Sequence, residues 1–537
     1  MTASLEKVDG DENISTTVAD HAVVTMQQTS RGLSPRHVQL MTIAGGIGVG
    51  LFVGVGGVLS KAGPLPLVIG YLIYGLGFIW PTMLNVAEMV AWLPIRGSIY
   101  ELASRFVDPA LGFAMGWTYF YAGAMLVCTE YSAVATVMQY WNTDINPAVW
   151  IAIALSVCYF MNMVAVRWYG EAEFVMGSTK ILLILGLIMA TFVTMPTASE
   201  TGKMETWPMN TMLKEHWHLS QYLYLFSKLI VGRILFFYVV GILAVGIICN
   251  SRDPRLLGAI ENGEAGAAAS PWVLGLLRLD IRRFLPGLIN FLILLSGWSC
   301  GNAYLYSSSR TLYSLAHDGQ APKIFLRCTK SGVPWVCVTA VTAISLLSFL
   351  VASNSASEVF SWFLDLTTVA LVVNFTAMTW VFIGWRRALK VQGITRQGEN
   401  NFKKSLFKRN PDKQPVPGIV FPFTAPCASW TPYLCLFIGG STSIFIGFDI
   451  FQPWSLKGFI TSYFGLAWFF LLFIFWKVFK RTKFVTPAKV DIFADGKKQA
   501  LDEECRFWEE GFGDEAERDA LAKKHVVVRT WARFWGG

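Results

Sequence analysis

The amino-acid sequence predicts an all-α, polytopic membrane protein. Of its 537 residues, 54% are hydrophobic and only 15% are charged, a balance far from that of soluble globular proteins. The apolar residues also collect in runs long enough to cross a bilayer as helices, which takes about 20 residues each. We find eleven such runs, at about residues 38–60, 66–91, 111–138, 148–166, 174–195, 229–249, 284–305, 333–352, 361–385, 430–452 and 458–480.

The segments at the two ends of the chain are polar. We expect residues 1–37 to form a disordered cytoplasmic tail, residues 38–480 the transmembrane domain, and residues 481–537 a second cytoplasmic tail. The first segment lacks the apolar core and small-residue cleavage site of a signal peptide. The first apolar run should therefore itself direct insertion into the membrane.

The net charge of +8 is carried by basic residues in the connections between runs. This pattern orients spans in a membrane, with the basic connections in the cytoplasm, and it argues against nucleic acid as a partner. If eleven spans alternate in direction from a cytoplasmic N-terminus, however, the basic residues within 310–330 and 386–413 fall outside. The pattern therefore indicates a missing span. Residues 249–284 carry five further arginines, so charge alone does not decide the orientation.

Residues 42–54, TIAGGIGVGLFVG, place five glycines inside the first run. One interpretation is packing, because Gly46, Gly50 and Gly54 recur every four residues and would let another helix approach closely. The other is an unwound segment from Gly45 to Gly50, which is tolerated at mid-membrane depth only where it lines a cavity. Its freed amides, at the positive end of a half-helix, would hold an anionic group such as a carboxylate.

Several ionisable residues lie within predicted spans. Glu130 is deep in the third run, where an ionised carboxylate costs several kcal/mol unless it is paired. It is either a functional group, such as a proton carrier, or a protonated acid hydrogen-bonded to a neighbouring helix. Lys180, in the fifth run, is expected to extend to the membrane interface, with a proton-coupling amine as the alternative. Glu88, in the second run, is expected to pair with a loop arginine.

Nothing in the sequence indicates an enzyme, a cofactor or a metal site. No nucleophile triad, phosphate-binding loop or paired-ligand motif is present. His216 and His218 are two histidines in a loop, which do not make a metal site by themselves. The nine cysteines are scattered, so neither a zinc site nor a disulfide framework is predicted.

Several motifs resemble those of fungal amino-acid permeases in the amino-acid, polyamine and organocation (APC) transporter superfamily. The resemblance covers about residues 31–510, and the segment at 307–323 is very specific. The matching segments are RHVQLM at 36–41, GIGVGLFVG at 46–54, AEM at 87–89, RFVDPALGFAMGW at 105–117, SSSRTLYSLAHDGQAPK at 307–323, RRALK at 386–390 and KFVTP at 483–487.

The resemblance implies two inverted five-helix repeats plus two C-terminal spans, with substrate held between broken first and sixth spans. It implies import of an amino acid with protons across the plasma membrane, so that the partners are the substrate, protons and the lipid bilayer. The residues Gly45, Gly46, Ile47, Gly48, Val49 and Gly50 would form half of the substrate site. Val49 stands where the family usually has Thr, which removes a hydroxyl but keeps the backbone donors. Glu130 matches a family glutamate.

The resemblance breaks after the fifth run. Residues 212–228 lead directly into residues 229–241, which resemble the family's seventh span, and no sixth-span core is found. About 11 spans are therefore recognisable instead of 12. The first explanation is a mis-spliced or mis-predicted gene product, and the second is a natural eleven-span variant. An amino-acid transporter remains the first hypothesis. The alternative is a non-transporting sensor or a defective permease remnant, retained in the endoplasmic reticulum.

Overall fold

A computed structural model describes most of the transmembrane region. The described residues are 41–42, 45–95, 98–142, 144–164, 166–200, 230–261, 270–278, 285–394, 397–398, 420–421, 423–451 and 454–493. The predicted N-terminal tail, the histidines His216 and His218, most of the basic connection 386–413 and the C-terminal tail beyond residue 493 lie outside this part of the chain.

The described residues are almost entirely helical. The helices are α1 (Gly50–Ala62), α2 (Pro64–Trp92), α3 (Ser98–Phe106), α4 (Pro109–Met138), α5 (Pro147–Met163), α6 (Val166–Glu200), α7 (Ile230–Ile248), α8 (Pro254–Glu261), α9 (Pro271–Arg278), α10 (Leu285–His317), α11 (Trp335–Ala352), α12 (Ala356–Val391), α13 (Thr431–Phe445) and α14 (Leu456–Lys480). Short 3-10 turns lie at Lys323–Leu326, Phe448–Ile450 and Pro487–Lys489. Two short strands, β1 (Gln397–Gly398) and β2 (Val420–Phe421), pair in parallel.

Each of the eleven predicted runs coincides with one of these helices. Within the part of the chain that the structure describes, seven helices are long and apolar enough to cross a membrane, namely α2, α4, α10, α11, α12, α14 and the Tyr169–Phe192 part of α6. Shorter apolar helices occupy the other four runs, at Gly50–Ala62, Pro147–Met163, Phe236–Ile248 and Thr431–Phe445. The chain is therefore all-α, with apolar helices where the sequence predicts spans.

Local sequence explains where several helices begin. Pro109 and Pro147 occupy the first turns of α4 and α5, where the missing proline N–H costs no hydrogen bond. The preceding Asp108 and Asn146 cap these helices by accepting from the N–H of Ala110 and Ala148, at 2.8 and 2.9 Å. Both starts are thus fixed by a polar cap followed by proline.

Helix α4 is the centre of the bundle and packs mainly against α10 and α12. Gly116 faces Leu315, Gly123 faces Ser308, and Gly301 faces Tyr131 of α4. The residue number rises along α4 as it falls along α10, so these two helices are antiparallel. Glycines at the contact let the two backbones approach closely, which is how helices pack where lipid gives no hydrophobic drive.

We call the end of the bundle that holds α3, the C-terminal end of α10 and residues 481–493 the inner face, and the other end the outer face. Tyr100 of α3 hydrogen-bonds Ser314 of α10. The N–H of Val485 donates to the Val107 carbonyl at 2.8 Å, and the indole of Trp92 donates to the Ile492 carbonyl at 3.2 Å. Helix α4 therefore runs from the inner to the outer face, while α2 and α10 run the opposite way.

Helices α6 and α7 follow one another in the chain yet run in the same direction. Tyr169 of α6 stacks on Tyr306 of α10 with ring centroids 4.4 Å apart, and Glu173 bonds Asn302, so α6 is antiparallel to α10. Helix α7 is antiparallel to α2, because Gly246 faces Pro64 and the ring of Tyr238 stacks on Tyr71, 6.1 Å away. Both α6 and α7 therefore run from the inner to the outer face.

The described helices do not show the inversion that strict alternation of eleven spans would produce, the conflict from which the sequence indicates a missing span. Strict alternation of eleven spans would make α4 and α10 parallel, but their glycine contacts make them antiparallel. The basic residues Lys323, Arg327 and Lys330, which follow α10, thus lie on the inner face together with Arg105, which pairs with Asp491 at 3.5 Å. This collects positive charge on one face, as membrane orientation requires. Residues 201–229 join the outer end of α6 to the inner end of α7.

Candidate functional site

The glycine segment in the first run interrupts its helix. Gly45 and Gly46 are helical, Ile47 and Gly48 are not, and the helix resumes at Val49. A π-helical turn then covers Gly50–Gly54. The predicted break in helical hydrogen bonding between Gly45 and Gly50 is therefore confirmed. Such π-turns and breaks occur frequently at functional sites.

Side chains from α7 and α10 satisfy the carbonyls that the interruption frees. The hydroxyl of Tyr304 donates to the Gly45 carbonyl at 2.8 Å, and that of Tyr238 to the Gly46 carbonyl at 2.6 Å. Ser296 donates to the Ile47 carbonyl at 3.1 Å. Unsatisfied backbone groups in a bilayer cost several kcal/mol each, so these three hydroxyls hold the segment in its non-helical form.

Packing does not explain the glycine spacing. A methyl group at Gly50 would meet nothing within 4 Å, and one at Gly54 would make ordinary contacts with Phe360 at 3.9 Å and Leu364 at 4.0 Å. The close helix contact proposed for Gly46, Gly50 and Gly54 is thus absent at the two of these positions for which neighbours are described. The crowded position is Gly48, where a methyl group would overlap Oε1 of Glu130 and lie 3.3 Å from Sγ of Cys300.

Glu130 lies where it is predicted to lie, inside the bundle between α4, the interrupted segment and α10. It is 5% exposed, and its carboxyl hydrogen-bonds the backbone at Val49. Its Oε2 lies beside Gly297 and, among the described residues, has no hydrogen-bond partner. The carboxyl therefore occupies the position next to the freed backbone where the sequence places an anion.

Lys180 contradicts the expectation that it extends to the membrane interface. It is 0% exposed, and its Nζ donates to Sγ of Cys300 at 3.1 Å. The same thiol donates to the Ile47 carbonyl at 3.4 Å. Lys180 lies well inside α6, too deep for its side chain to reach the interface, and its charge acts on Glu130. The structure thus brings Lys180 to the glycine segment.

The structure adds further buried polar residues to those predicted from the sequence. Glu88 is buried and accepts from the Ala425 N–H at 2.7 Å, and its pairing with a loop arginine stays a prediction. Glu173, Tyr238, Ser296 and Tyr304 were not predicted to contribute. The available signal for Glu173 was its place seven residues before Lys180, which puts both on one helix face. The hydroxyls carry no such signal, because their partners are distant in sequence.

No metal centre forms in the part of the chain that the structure describes, since no three His, Cys, Asp or Glu side chains come together there. The eight cysteines in that part are free thiols. The polar groups that converge are instead one amine, one carboxyl, one thiol and the open backbone at Gly45–Gly50. This set is suited to binding a small zwitterion or a proton.

Comparison with known proteins identifies the family. The sequence model of the family "Amino acid permease" matches residues 37–231 and 225–488. The chain therefore belongs to the amino acid permease family of the APC superfamily, as a multi-pass membrane protein of the transporter class rather than an enzyme. The two matched segments meet at residues 225–231.

Curated relatives align over nearly the whole chain. A proline-specific permease of Emericella nidulans is 35% identical over 528 residues, covering 89% of this chain and 90% of the relative. A proline-specific permease of Saccharomyces cerevisiae is 33% identical, covering 90% of this chain and 79% of the relative. A dicarboxylic amino acid permease of the same yeast is 30% identical, covering 93% of this chain and 85% of the relative.

Proposed function

We propose that the intact protein imports an amino acid together with a proton by alternating access. The observation that carries this proposal is the Glu130 carboxyl beside the interrupted backbone at Gly48 and Val49. A half-helix N-terminus at mid-membrane depth is suited to an anionic substrate group. Family membership supports an amino acid, whose α-carboxylate is such a group.

The position of Glu130 supplies a physical reason for coupling. An ionised Glu130 would repel a substrate carboxylate placed at the same backbone amides. A proton bound to Glu130 removes that repulsion and frees the amides for the substrate. The substrate therefore binds best after the proton, and both leave together when the site opens to the inner face.

The residues Gly45, Gly46, Ile47, Gly48, Val49 and Gly50 are proposed as the first half of the substrate site. Tyr238, Ser296 and Tyr304 hold its carbonyls and so keep the amides available. Lys180 is proposed to share in coupling through its charge on Glu130. Proline is the first substrate to test, because two of the similar relatives are proline-specific permeases.

A second proposal concerns the chain as it stands, namely that it lacks the span that the family places sixth. Two consecutive helices, α6 and α7, run in the same direction, so a crossing is needed between residues 200 and 230. Residues 201–229 include Lys203, Glu205, Lys214 and Glu215, too many charges for an ordinary apolar span. The meeting of the two family matches at 225–231 also supports a gap there.

Uptake assays test both proposals. In permease-deficient fungal cells, we expect this chain to accumulate no labelled proline and to be retained in the endoplasmic reticulum. A version restored with the family's sixth span should reach the plasma membrane and take up an amino acid faster at acidic pH. Saturable, proton-dependent uptake by the unrestored chain would contradict the gap.

Glu130→Gln in the restored version tests coupling. Because glutamine cannot gain or lose the proton, uptake should lose its dependence on external pH, with a rate at least tenfold lower than that of the parent at acidic pH. Unchanged pH dependence in this variant would exclude Glu130 as the proton carrier. The matched control is Glu171→Gln, because Glu171 is a partly exposed residue of α6. Its uptake rate and pH dependence should equal those of the parent.

A further inference from the structure

A second buried carboxyl, Glu173, lies on the same face of α6 as Lys180 and has no part in the site described above. It is 0% exposed. Its Oε1 accepts from the Ser299 hydroxyl, and its Oε2 accepts from Nδ2 of Asn302 at 3.4 Å. The Asn302 amide oxygen in turn accepts from Nδ2 of Asn162 at 2.8 Å. Three helices thus hold the Glu173 carboxyl in place.

Lys180 is the cation placed between the two buried carboxyls. Its Nζ donates to Sγ of Cys300 at 3.1 Å, and the preceding residue on α10, Ser299, bonds Glu173. Glu130 and Cys300 both lie against Gly48, so the Lys180 charge acts on both carboxyls. Of the residues that the structure describes, the other titratable groups around Glu173 are Tyr169 on α6, Cys158 on α5 and Cys300 on α10. Around Glu130 they are Cys300, Tyr238 and Tyr304. Phenols and thiols are neutral at ordinary pH unless strongly perturbed, so they balance no charge here.

Arg310 is a second buried cation, on α10, but it contacts other groups than the two carboxyls. Its guanidinium lies 3.7 Å over the ring of Tyr306, which stacks on Tyr169. Its charge acts on Tyr169. Among the side chains that the structure describes, the charge balance near the interrupted segment is therefore set by one amine, Lys180, and two carboxyls, Glu130 and Glu173.

Buried charges are tolerated when they are paired. With Lys180 charged and both carboxyls ionised, the cluster carries one net negative charge, and binding one proton makes it neutral. The hydrogen-bond partners decide which carboxyl takes that proton. Glu173 accepts from two side-chain donors, which stabilises its ionised form. Glu130 has an Oε2 without a hydrogen-bond partner among the described residues, where a proton can be added.

We propose that Glu173 is the permanent counter-ion of Lys180, a positioning residue that leaves Glu130 to bind and release one proton. This inference rests on the proposed proton coupling and adds the group that sets its stoichiometry. In the binding step, a hydronium ion from the open face transfers its proton to a Glu130 oxygen and leaves as water. The cluster charge rises from minus one to zero, and release is the reverse.

The test is infrared titration of the purified full-length chain in detergent, which follows the carbonyl stretch of a protonated carboxyl. We expect a titrating band that Glu130→Gln removes. In Glu173→Gln, Glu130 becomes the only counter-ion of Lys180 and must stay ionised. The midpoint of the band should therefore move to lower pH by about one unit or more, a tenfold change in proton concentration.

Two further variants separate this role from a structural one. Glu173→Asp keeps the charge and should return the midpoint towards that of the parent, whereas Glu171→Gln should leave it unmoved. The double variant Glu173→Gln/Lys180→Met removes both of these charges, so Glu130 should again titrate at a higher pH than in Glu173→Gln. Loss of folding alone would not produce this ordered set of midpoints.

Two results would overturn the inference. One is a Glu130 band whose midpoint is the same in Glu173→Gln as in the parent. The other is a band that Glu173→Gln removes and Glu130→Gln leaves. Absence of proton-dependent uptake by the span-restored protein, with the infrared results as expected, would instead contradict the proposed function and leave the counter-ion assignment intact.

Discussion

At position 48 the backbone of the interrupted helix lies against two side chains, the carboxyl of Glu130 and the thiol of Cys300. Glycine is needed here because any side chain would enter the space that these groups fill. The neighbouring Gly50 has open space around it instead. The two glycines therefore have different physical roles although they are two residues apart.

Gly48→Ala should destabilise the protein by about 1–3 kcal/mol, because the added methyl group forces the Glu130 carboxyl away from the backbone. Gly50→Ala is the matched control. It should leave stability unchanged or raise it by up to about 1 kcal/mol, since alanine reduces the freedom of the unfolded chain. Melting temperatures in detergent measure both. Equal melting temperatures for the two variants would argue against close contact at Gly48.

At the scale of elements, Asp108 joins the start of α4 to the end of α14. It is buried, caps α4 through the Ala110 N–H, and accepts from the Thr482 hydroxyl at 2.8 Å. It also forms an ion pair with Lys477. The segment after α14 is thereby tied to the inner face, and the Val485 to Val107 backbone bond continues this contact.

Asp108→Ala should destabilise the protein by about 2–4 kcal/mol, since it removes the helix cap and the partner of Lys477. It should also release the segment that begins at Arg481, so that trypsin cuts there at lower protease concentration. Asp144→Ala, an exposed aspartate between α4 and α5, is the control and should change neither property. Unaltered trypsin sensitivity in Asp108→Ala would rule out Asp108 as the attachment.

Across the whole molecule, helix directions place the loop after α7 on the outer face and the loop after α10 on the inner face. Epitope tags inserted after Arg252 and after Lys330 of the span-restored version test this arrangement. In intact cells or sealed vesicles of known orientation, the Arg252 tag should be on the extracytoplasmic side and the Lys330 tag on the cytoplasmic side. Inverted insertion of the later helices would exchange the two results.

The sequence by itself determined the class of the protein and the place of its spans. Apolar length is a local property, so all eleven runs could be found without tertiary contacts. The interruption near Gly48 was also predictable, because glycine clusters disfavour a regular helix and lipid excludes free backbone groups. The depth of Glu130 followed from its place in the middle of a span.

Only the tertiary structure decided which groups meet at that interruption and in which direction the helices run. Lys180 was expected at the interface, yet it reaches Cys300, because α10 brings that thiol next to the interrupted segment of the first run. Glu173 and the hydroxyls of Tyr238, Ser296 and Tyr304 find partners far away in sequence. The parallel α6 and α7 could not be deduced from charge, since the arginines of residues 249–284 oppose the other basic loops. Such contacts depend on how helices pack around α4, which a one-dimensional pattern does not specify.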